Sequence, residues 1–318
     1  MDKRTHALAY ARQLCSLNAS APALMPAILE SLQAIVGHDV ALFMWADAQG
    51  NLTNLCSRNA ASPEVVARFV EHYVDSDERV YWTSFRETML RGSSNSLGQI
   101  QPDFYRSAMY EEIWKPNRIH WGIDWTVRNG GRSLGSLRLY RERRGRRFTP
   151  SDHACLLPLL PHLARMLERS ISVEEPLEME EPSGLLILDA QGRCESMDRT
   201  GAILLFYATH PSINPTSLQW RGGAEMPPQI RRLCARLQEP GDAQAADGGI
   251  TLQLHNDWGR FLLRAKPLYA ASGSGVARTA LSISRLAPQA LLRARRLYPY
   301  QLSPRQLDVA LLGCSNLT

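Results

Sequence analysis

An acidic stretch with two prolines at residues 173–183 divides this sequence into two parts that repeat the same order of patterns. In each part, helical and strand patterns are followed by a closing helical pattern. The chain has 318 residues, which is more than one compact core usually holds. The sequence therefore predicts an α+β protein with two tandem α/β/α sandwich-like domains, each an antiparallel sheet with flanking helices.

The acidic stretch also sets the predicted domain boundaries. The first domain is expected over residues 1–172 and the second over residues 184–287. Residues 173–183 are predicted to be a linker, because acidic residues and prolines favour an extended, solvated chain. Residues 288–318 open with a basic helical pattern, which we interpret as a linker helix leading to a further segment.

The strongest local pattern of the first domain is a β-hairpin. Strand patterns at 119–128 and 133–141 flank Asn129–Gly131, and the Asn-Gly-Gly sequence favours a tight turn. A helix is predicted from Thr149 to about Ser170, with a bend near its two internal prolines because proline removes a backbone donor. Further helices are predicted at 5–17, 22–36, 63–74 and 102–114, and a further hairpin at 40–57.

Composition excludes several classes of protein. Hydrophobic residues make up 44% and charged residues 21% of the chain, which is typical of a globular protein. No apolar run approaches the ~18 residues of a membrane span, and the N-terminus lacks a signal-type apolar core. We therefore expect a cytoplasmic protein without a membrane partner. The six cysteines stand singly, so the sequence predicts neither a metal nor a cofactor site.

Recurring catalytic and phosphate-binding motifs are absent from the sequence. None of the patterns G-x-S-x-G, G-x-x-x-x-G-K-[ST], H-E-x-x-H and G-x-G-x-x-G occurs in it. Gly130 and Gly131 lie in a predicted hairpin and do not open a helix, so they do not form a phosphate-binding loop. We expect that the chain is not an enzyme and assign no catalytic residue.

Six arginines crowd a strand end and the following loop between residues 138 and 147, in a chain of net charge +5. They are Arg138, Arg141, Arg143, Arg144, Arg146 and Arg147. A patch that contacts phosphates is one interpretation, and a solvated loop is the other. We favour the solvated loop because few aromatic residues interleave the run. The same charges would suit an acidic partner.

Aromatic residues are dense in the first domain, and the cluster fits either a plain core or a concave ligand pocket. Phe43 and Trp45 share one strand face, and Trp121 and Trp125 share another. If these faces point to a common side, they form an aromatic wall. Tyr73 would help to close it from the helices, and an aspartate would orient the ligand. The predicted ligand-binding residues are Phe43, Trp45, Tyr73, Asp75, Asp77, Trp82, Trp114, Trp121 and Trp125.

The segment Leu302–Leu312, with the sequence LSPRQLDVALL, resembles the start of the LuxR-type helix-turn-helix domain. That domain opens with Leu-Thr/Ser-x-Arg-Glu before an apolar-patterned helix, and Gln306 stands where the family has the acidic residue. Ser303 and Arg305 would belong to the scaffold of this motif. The match stops at residues 316–318, where the turn and recognition helix of the family begin. We therefore expect this chain not to read base edges, and its DNA-binding residues stay unknown.

Other stretches resemble the sensor domains of such regulators. Residues 72–82 are similar to the Tyr-x-x-x-Asp segment of autoinducer-binding and GAF-like domains. Residues 121–139 and 148–167 are similar to the closing hairpin and helix of those domains. Residues 184–193 look like the opening of a PAS-like domain, and the strand patterns at 259–268 and 279–286 are similar to its later strands.

The resemblance implies a ligand-responsive transcriptional regulator with a GAF-like sensor domain, a PAS-like domain and the first part of a helix-turn-helix. The implied partners are a small, partly apolar effector, promoter DNA for the full-length protein, and a second copy in a homodimer. Leucines of the helix at 149–170 also favour a dimer, because they exceed what one sheet covers. The alternative is a small-molecule or protein-binding module that lacks a DNA-binding domain and heterodimerises with an intact regulator. A hydrolase is the third possibility. Whether the chain is a fragment stays open.

Overall fold

The computed structural model describes residues 2–58, 63–77, 84–92, 102–169, 176–214, 226–237, 249–269, 276–303, 305–307 and 309–310. The protein is a mixed α+β structure with two antiparallel sheets flanked by helices, which confirms the predicted fold class at that level. The helix-turn-helix part of that prediction falls largely outside the described residues. The chain divides into two compact units. The first comprises Met1–Glu175, Ser212–Leu218 and Ala290–Thr318, and the second comprises Pro176–Pro211 and Gln219–Gln289.

A four-stranded antiparallel sheet with the strand order β2-β1-β4-β3 lies at the centre of the first unit. Its strands are β1 (Val40–Ala46), β2 (Leu52–Arg58), β3 (Trp121–Asn129) and β4 (Arg132–Arg141). Both hairpins expected from the sequence are confirmed, since β1 pairs with β2 and β3 pairs with β4. Gly130 occupies the predicted turn with a φ of 55°, a backbone conformation that favours glycine.

Strand register gives this sheet two different faces. Phe43 of β1 and Trp125 of β3 pair with the same residue of β4, so they lie in one row on one side of the sheet, here named the helical face. Asp124 and Arg138 pair in the next row. Because successive side chains of a strand point to opposite sides, this row belongs to the other side, named the polar–aromatic face.

The helical face is covered by the N-terminal and closing helices of the unit. These are α1 (Lys3–Ser16), α2 (Ala21–Ser31), α5 (Pro150–Leu156) and α6 (Leu160–Glu168). Helix α2 contacts β1 and β2, α6 contacts β3, and α1 contacts both helices. A short 3-10 turn, Leu157–Leu159, separates α5 from α6. The bend predicted near Pro158 and Pro161 is therefore confirmed.

Short helical segments lie between β2 and β3 in the sequence of the first unit. They are α3 (Pro63–Arg68), a π-helical segment (Phe69–Asp77), α4 (Phe85–Arg91), a 3-10 turn (Pro102–Arg106) and a π-helical turn (Tyr110–Trp114). The helix predicted at 102–114 was wrong as a continuous element. The Ser107 hydroxyl accepts a hydrogen bond from the Tyr110 amide at 3.1 Å, which ends one turn and starts the next.

Helix α9 (Gln289–Leu297) and Tyr298 return the C-terminal segment to the first unit. The Tyr298 ring lies 4.4 Å from the ring of Tyr10 on α1 and stacks on His6 at 5.0 Å between ring centroids. The Tyr298 carbonyl also lies 3.1 Å from the His6 ring nitrogen Nε2. The helix predicted at the start of 288–318 is present, and Tyr298, directly after it, packs on α1.

The second unit is built on a five-stranded antiparallel sheet in the order β6-β5-β9-β8-β7. Its elements are β5 (Leu177–Leu188), β6 (Cys194–Met197), α7 (Arg199–Thr209), α8 (Pro228–Arg236), β7 (Ile250–Asn256), β8 (Gly259–Tyr269) and β9 (Val276–Pro288). Part of the stretch predicted as a linker is therefore strand. Glu180 pairs with Arg285 of β9, and their charged groups lie 3.6 Å apart with little exposure.

Helix α7 lies close against one face of this second sheet. A Cβ atom on Gly184 of β5 would lie 2.3 Å from the backbone of Gly201, so the two glycines permit a backbone approach that larger residues would block. Asp198 caps the helix by accepting from the Gly201 amide. Leu185 points to the opposite face and is 46% exposed. In the described residues, α7 contacts β5 and β9 and α8 contacts β7, and the three-layer arrangement of this unit stays a prediction.

Candidate functional site

The two faces of the first sheet divide the predicted ligand-binding residues. Those on the helical face are Phe43, Trp45, Trp121 and Trp125. These rings share one side of the sheet, as the alternation predicted. Tyr73 and Trp114 belong to a cluster with Tyr140 of β4, which lies on the polar–aromatic face. Tyr73 and Trp114 therefore lie across the sheet from the wall of four strand residues, and the predicted ligand contacts of all these residues stay predictions.

Phe43 and Trp125 of the helical face are packed as core, whereas Trp45 and Trp121 are half-buried. Phe43 is 0% and Trp125 is 1% exposed. The Trp125 indole N–H donates to the His153 carbonyl of α5 at 3.1 Å, and the two rings stack at 5.4 Å. Burial lowers the pKa of His153. Since the polar atom of Trp125 has its partner, this face fits the plain-core interpretation.

Buried charges lie at the centre of the polar–aromatic face. Asp124 of β3 is directly opposite Arg138 of β4, and the two side chains share this face because they pair across the strands. Their residues are 0% and 2% exposed. The Arg138 guanidinium lies over the ring of Phe85 on α4, 6.0 Å from its centroid. Its Nε donates to the Ser136 hydroxyl at 3.4 Å. Because burying charge is costly, this arrangement marks a candidate site.

An aromatic cluster adjoins these charges on the same face. Its fully buried members are Val40, Tyr73, Phe104, Met109, Ile113, Trp114, Ile119 and Tyr140. The Trp114 ring meets Phe104 edge-on at 4.7 Å and Tyr140 edge-on at 5.1 Å. Tyr140 stands two residues after Arg138 on β4, so the apolar cluster and the buried charges form one continuous surface. These residues are about as buried as Phe43 and Trp125, and what distinguishes this face is that its apolar cluster adjoins charged groups, a combination that small-molecule sites also have.

Three predicted site residues cannot be placed by side chain. Asp75 and Asp77 lie at the end of the π-helical segment Phe69–Asp77, but their side chains are outside the part of the chain that is described. Trp82 falls outside the described residues altogether. Their predicted contacts with a ligand stay predictions.

The arginine run between 138 and 147 is only partly a solvated loop. Arg138 and Arg141 are 2% and 5% exposed, so the expectation of solvent exposure was wrong for these two. Arg141 donates through Nε to the Gly37 carbonyl and through Nη1 to the Asp152 carboxylate at 3.4 Å. Because side chains alternate along β4, Arg138 and Arg141 project from opposite faces of the sheet. Other elements cover both faces, so both side chains are buried. The four later arginines are exposed.

Asp152 ties the closing helix to the sheet. Burial raises the pKa of its carboxyl, but hydrogen bonds from the Thr149 amide and hydroxyl and from Arg141 outweigh burial and hold the pKa below its ordinary value. Thr149 and Asp152 form a capping box at the start of α5, as the Thr-Pro-Ser-Asp sequence allows.

The segment that resembles a helix-turn-helix starts with a capping arrangement. The Ser303 amide donates to the Gln306 side-chain oxygen at 2.9 Å, and the Gln306 amide donates back to the Ser303 hydroxyl at 3.4 Å. Gln306 thus fills the capping role that glutamate fills in such boxes. Arg305 is exposed on this turn.

Two general features of the described part of the chain bear on function. None of its helices combines the length and apolar character that crossing a bilayer requires. No group of three or more histidine, cysteine or acidic side chains is placed there to hold a metal ion.

Comparisons with known proteins give no family assignment. No family model and no curated protein matches the chain. The sensor region of a sensor histidine kinase matches at 17% identity and a TM-score of 0.21, covering 81% of this chain and 91% of the other. The sensory domain of the Campylobacter jejuni chemoreceptor Tlp3 matches at 8% identity and a TM-score of 0.21, over 91% and 85% of the two chains. The E. coli DhaR(N)–DhaL complex matches at 10% identity and a TM-score of 0.20, over 89% and 87%. Scores this low assign neither a fold family nor a function to this chain.

The sequence interpretation missed the central residues of the candidate site. Asp124 stands between two buried apolar residues of β3, and Arg138 was grouped with the charged loop that follows it. The signal that could have found them is alternation in a hairpin packed on both sides. In such a sheet, a charged residue at a central strand position is buried on one face or the other, whereas Arg128 and Arg132 beside the turn are exposed.

Proposed function

We propose that the first unit is a sensory domain that binds a small, partly apolar effector on its polar–aromatic face. The observation that supports this proposal is the buried charged row of Asp124 and Arg138 beside the aromatic cluster. Charged side chains are rarely kept inside a domain unless pairing, a ligand or a catalytic task makes use of them. No nucleophile–base pair accompanies them in the described contacts, so binding is the function we infer.

The chemistry of this face indicates what an effector would look like. Arg138 suits a carboxylate or amide oxygen, and Asp124 suits an N–H or O–H donor. Tyr73, Trp114 and Tyr140 offer ring surface for an apolar body of the ligand. We therefore infer an effector with one compact hydrogen-bonding head and a ring or short alkyl body.

We further propose that the chain is the sensory portion of a LuxR-type transcriptional regulator. The resemblance at Leu302–Leu312 supports this, together with the capping box of Ser303 and Gln306 at the start of that segment. Effector binding would stabilise one of two arrangements of the protein and so change the affinity of a DNA-binding head for a promoter.

A thermal-shift screen tests the effector proposal. The panel consists of small carboxylates, amides and lactones with aromatic or alkyl bodies, and a hit should raise the melting temperature and change tryptophan fluorescence saturably. Tyr73→Ala and Arg138→Met should weaken binding of the hit about tenfold or more, provided that each variant still unfolds cooperatively. Trp125→Phe, on the helical face, should leave its affinity within about twofold. A hit that depends on Trp125 and not on Arg138 or Tyr73 would contradict the assignment.

Gel shifts and light scattering test the regulator proposal. The chain as given should bind duplex DNA weakly, without sequence preference, and lose that binding between low and about 200 mM salt. A homodimer is expected at tens of micromolar, since regulators of this kind meet paired half-sites. Three leucines of the closing helix that favoured a dimer, Leu156, Leu159 and Leu163, are buried inside one chain. A dimer would therefore need another surface, and a strictly monomeric protein would oppose the proposal.

A further inference from the structure

A second group of rings lies at the end of the β3–β4 hairpin that is remote from its turn. Its members are Tyr105, Tyr110, His120 and Trp121, all half-buried. Tyr105 stacks on His120 at 4.5 Å, and Trp121 meets His120 edge-on at 4.5 Å. The Tyr110 hydroxyl lies 2.9 Å from His120 Nδ1. Tyr105, Tyr110 and Trp121 therefore contact the His120 ring from three sides.

The two ring nitrogens of His120 have different surroundings. Burial, with the positive charges of Arg143 and Arg147, lowers the pKa of His120, so the ring is neutral near pH 7. Nδ1 lies within hydrogen-bond distance of the Tyr110 hydroxyl, and when that hydroxyl donates to Nδ1 the neutral ring carries its N–H on Nε2. Among the described contacts, Nε2 has no partner in the protein.

The loop that follows β4 is anchored in place beside this ring group. The buried Arg141 guanidinium donates through Nη1 to the carbonyls of Arg146 and Arg147 at 3.4 and 3.3 Å. The Trp121 indole N–H donates to the Gly145 carbonyl at 3.1 Å. The Arg147 guanidinium then lies over the Trp121 ring, 4.5 Å from its centroid. The loop therefore presents its cations from a fixed backbone.

The charges of this loop are unevenly compensated. Asp152 neutralises Arg141 and lies 2.8 Å from Arg146. Glu142 faces Arg118 at 3.9 Å. No carboxylate lies within ion-pair distance of Arg143 or Arg147 in the described part of the chain, and both act electrostatically on His120.

We propose that Arg143, Arg147 and His120 Nε2 bind the phosphate group of a small molecule, against the rings of Tyr105 and Trp121. Two guanidinium groups and one ring N–H offer several donors to one compact oxyanion, and their mutual repulsion falls when the anion is bound. The aromatic surface beside them lets a planar body stack next to the phosphate. Tyr105 also packs against the aromatic cluster of the polar–aromatic face, but the phosphate donors proposed here are not those of the effector proposal and do not depend on it.

Calorimetric titration of the full chain with inorganic phosphate, at constant ionic strength, tests the proposal. Saturable binding is expected, and acetate should bind at least tenfold more weakly. Arg147→Gln should weaken phosphate binding tenfold or more, and His120→Gln should weaken it by a smaller factor. Arg144→Gln is the matched control, since Arg144 is an exposed arginine of the same loop for which no contact with the rings is seen; its affinity should stay within twofold.

Two further measurements separate the outcomes. Phosphate should shift the NMR resonances of the His120 ring in the wild type but not in Arg147→Gln. If phenyl phosphate binds more tightly than inorganic phosphate, the ligand of this site is an aromatic phosphate. If it binds more weakly, the ligand is free phosphate. Equal losses in Arg144→Gln and Arg147→Gln, or no saturable binding, would overturn the site. The site would also be overturned if phosphate did not bind and duplex DNA bound with equal dependence on every arginine of the loop.

Discussion

Asp124 on β3 lies directly opposite Arg138 on β4, and both residues are closed to solvent on the face that carries the aromatic cluster. An isolated charge in such a place would cost several kcal/mol, so each group depends on compensation by its surroundings. The first sheet therefore holds two buried charged groups in one row at its centre.

A double-mutant cycle at these positions should show strong coupling. Asp124→Asn and Arg138→Met each leave a buried charge with less compensation, so each should lower the free energy of unfolding by about 3 kcal/mol. The double variant should lose at least about 1 kcal/mol less than the two single losses combined. Urea denaturation followed by circular dichroism measures these values. Strict additivity would show that the two side chains do not interact.

Trp125→Phe should act on stability and not on binding at the polar–aromatic face. The variant keeps most of the ring volume but loses the hydrogen bond to the His153 carbonyl, which leaves that carbonyl without its indole donor. We expect a loss of about 1–2 kcal/mol in the free energy of unfolding. Chemical denaturation checks the value, and a variant as stable as the wild type would argue against the bond.

Asp152→Asn should change how stability depends on pH. The folded-state pKa of Asp152 lies below its ordinary value, so its contribution is present above about pH 4 and is lost as the pH falls through the folded-state pKa. The variant should be about 2 kcal/mol less stable at pH 7, because charge-assisted hydrogen bonds are weakened. The difference between the two proteins should shrink on acidification. Melting curves from pH 3 to pH 7 measure it, and a difference that grows toward low pH would contradict the sign.

Gly184→Ala should destabilise the second unit. The added Cβ would lie 2.3 Å from the Gly201 backbone, so α7 would have to move away from β5. Such overpacking typically costs about 1–3 kcal/mol. Gly131→Ala is the control, since open space surrounds that position, and it should change stability by less than about 0.5 kcal/mol. Equal effects of the two substitutions would mean that the close packing is not needed.

Local sequence determined much of the secondary structure of this protein. The Asn-Gly-Gly turn, the period-two strands around it and the Thr-Pro-Ser-Asp cap specify the hairpin and the start of the closing helix, because these depend on neighbouring residues alone. The bend near Pro158 follows in the same way from a missing backbone donor.

Tertiary structure decided which of these residues share a surface. Alternation placed Phe43 with Trp45, but it could not tell that Trp114 and Tyr73 pack on the opposite side of the sheet, since that depends on the path of short helical segments. The order β2-β1-β4-β3 joins the two hairpins by pairing β1 with β4, from Val40 with Tyr140 to Trp45 with Gly135, which are far apart in the sequence. Layers on both faces then bury Asp124 and Arg138, which a one-dimensional pattern assigns to solvent because it carries no information about what covers a strand.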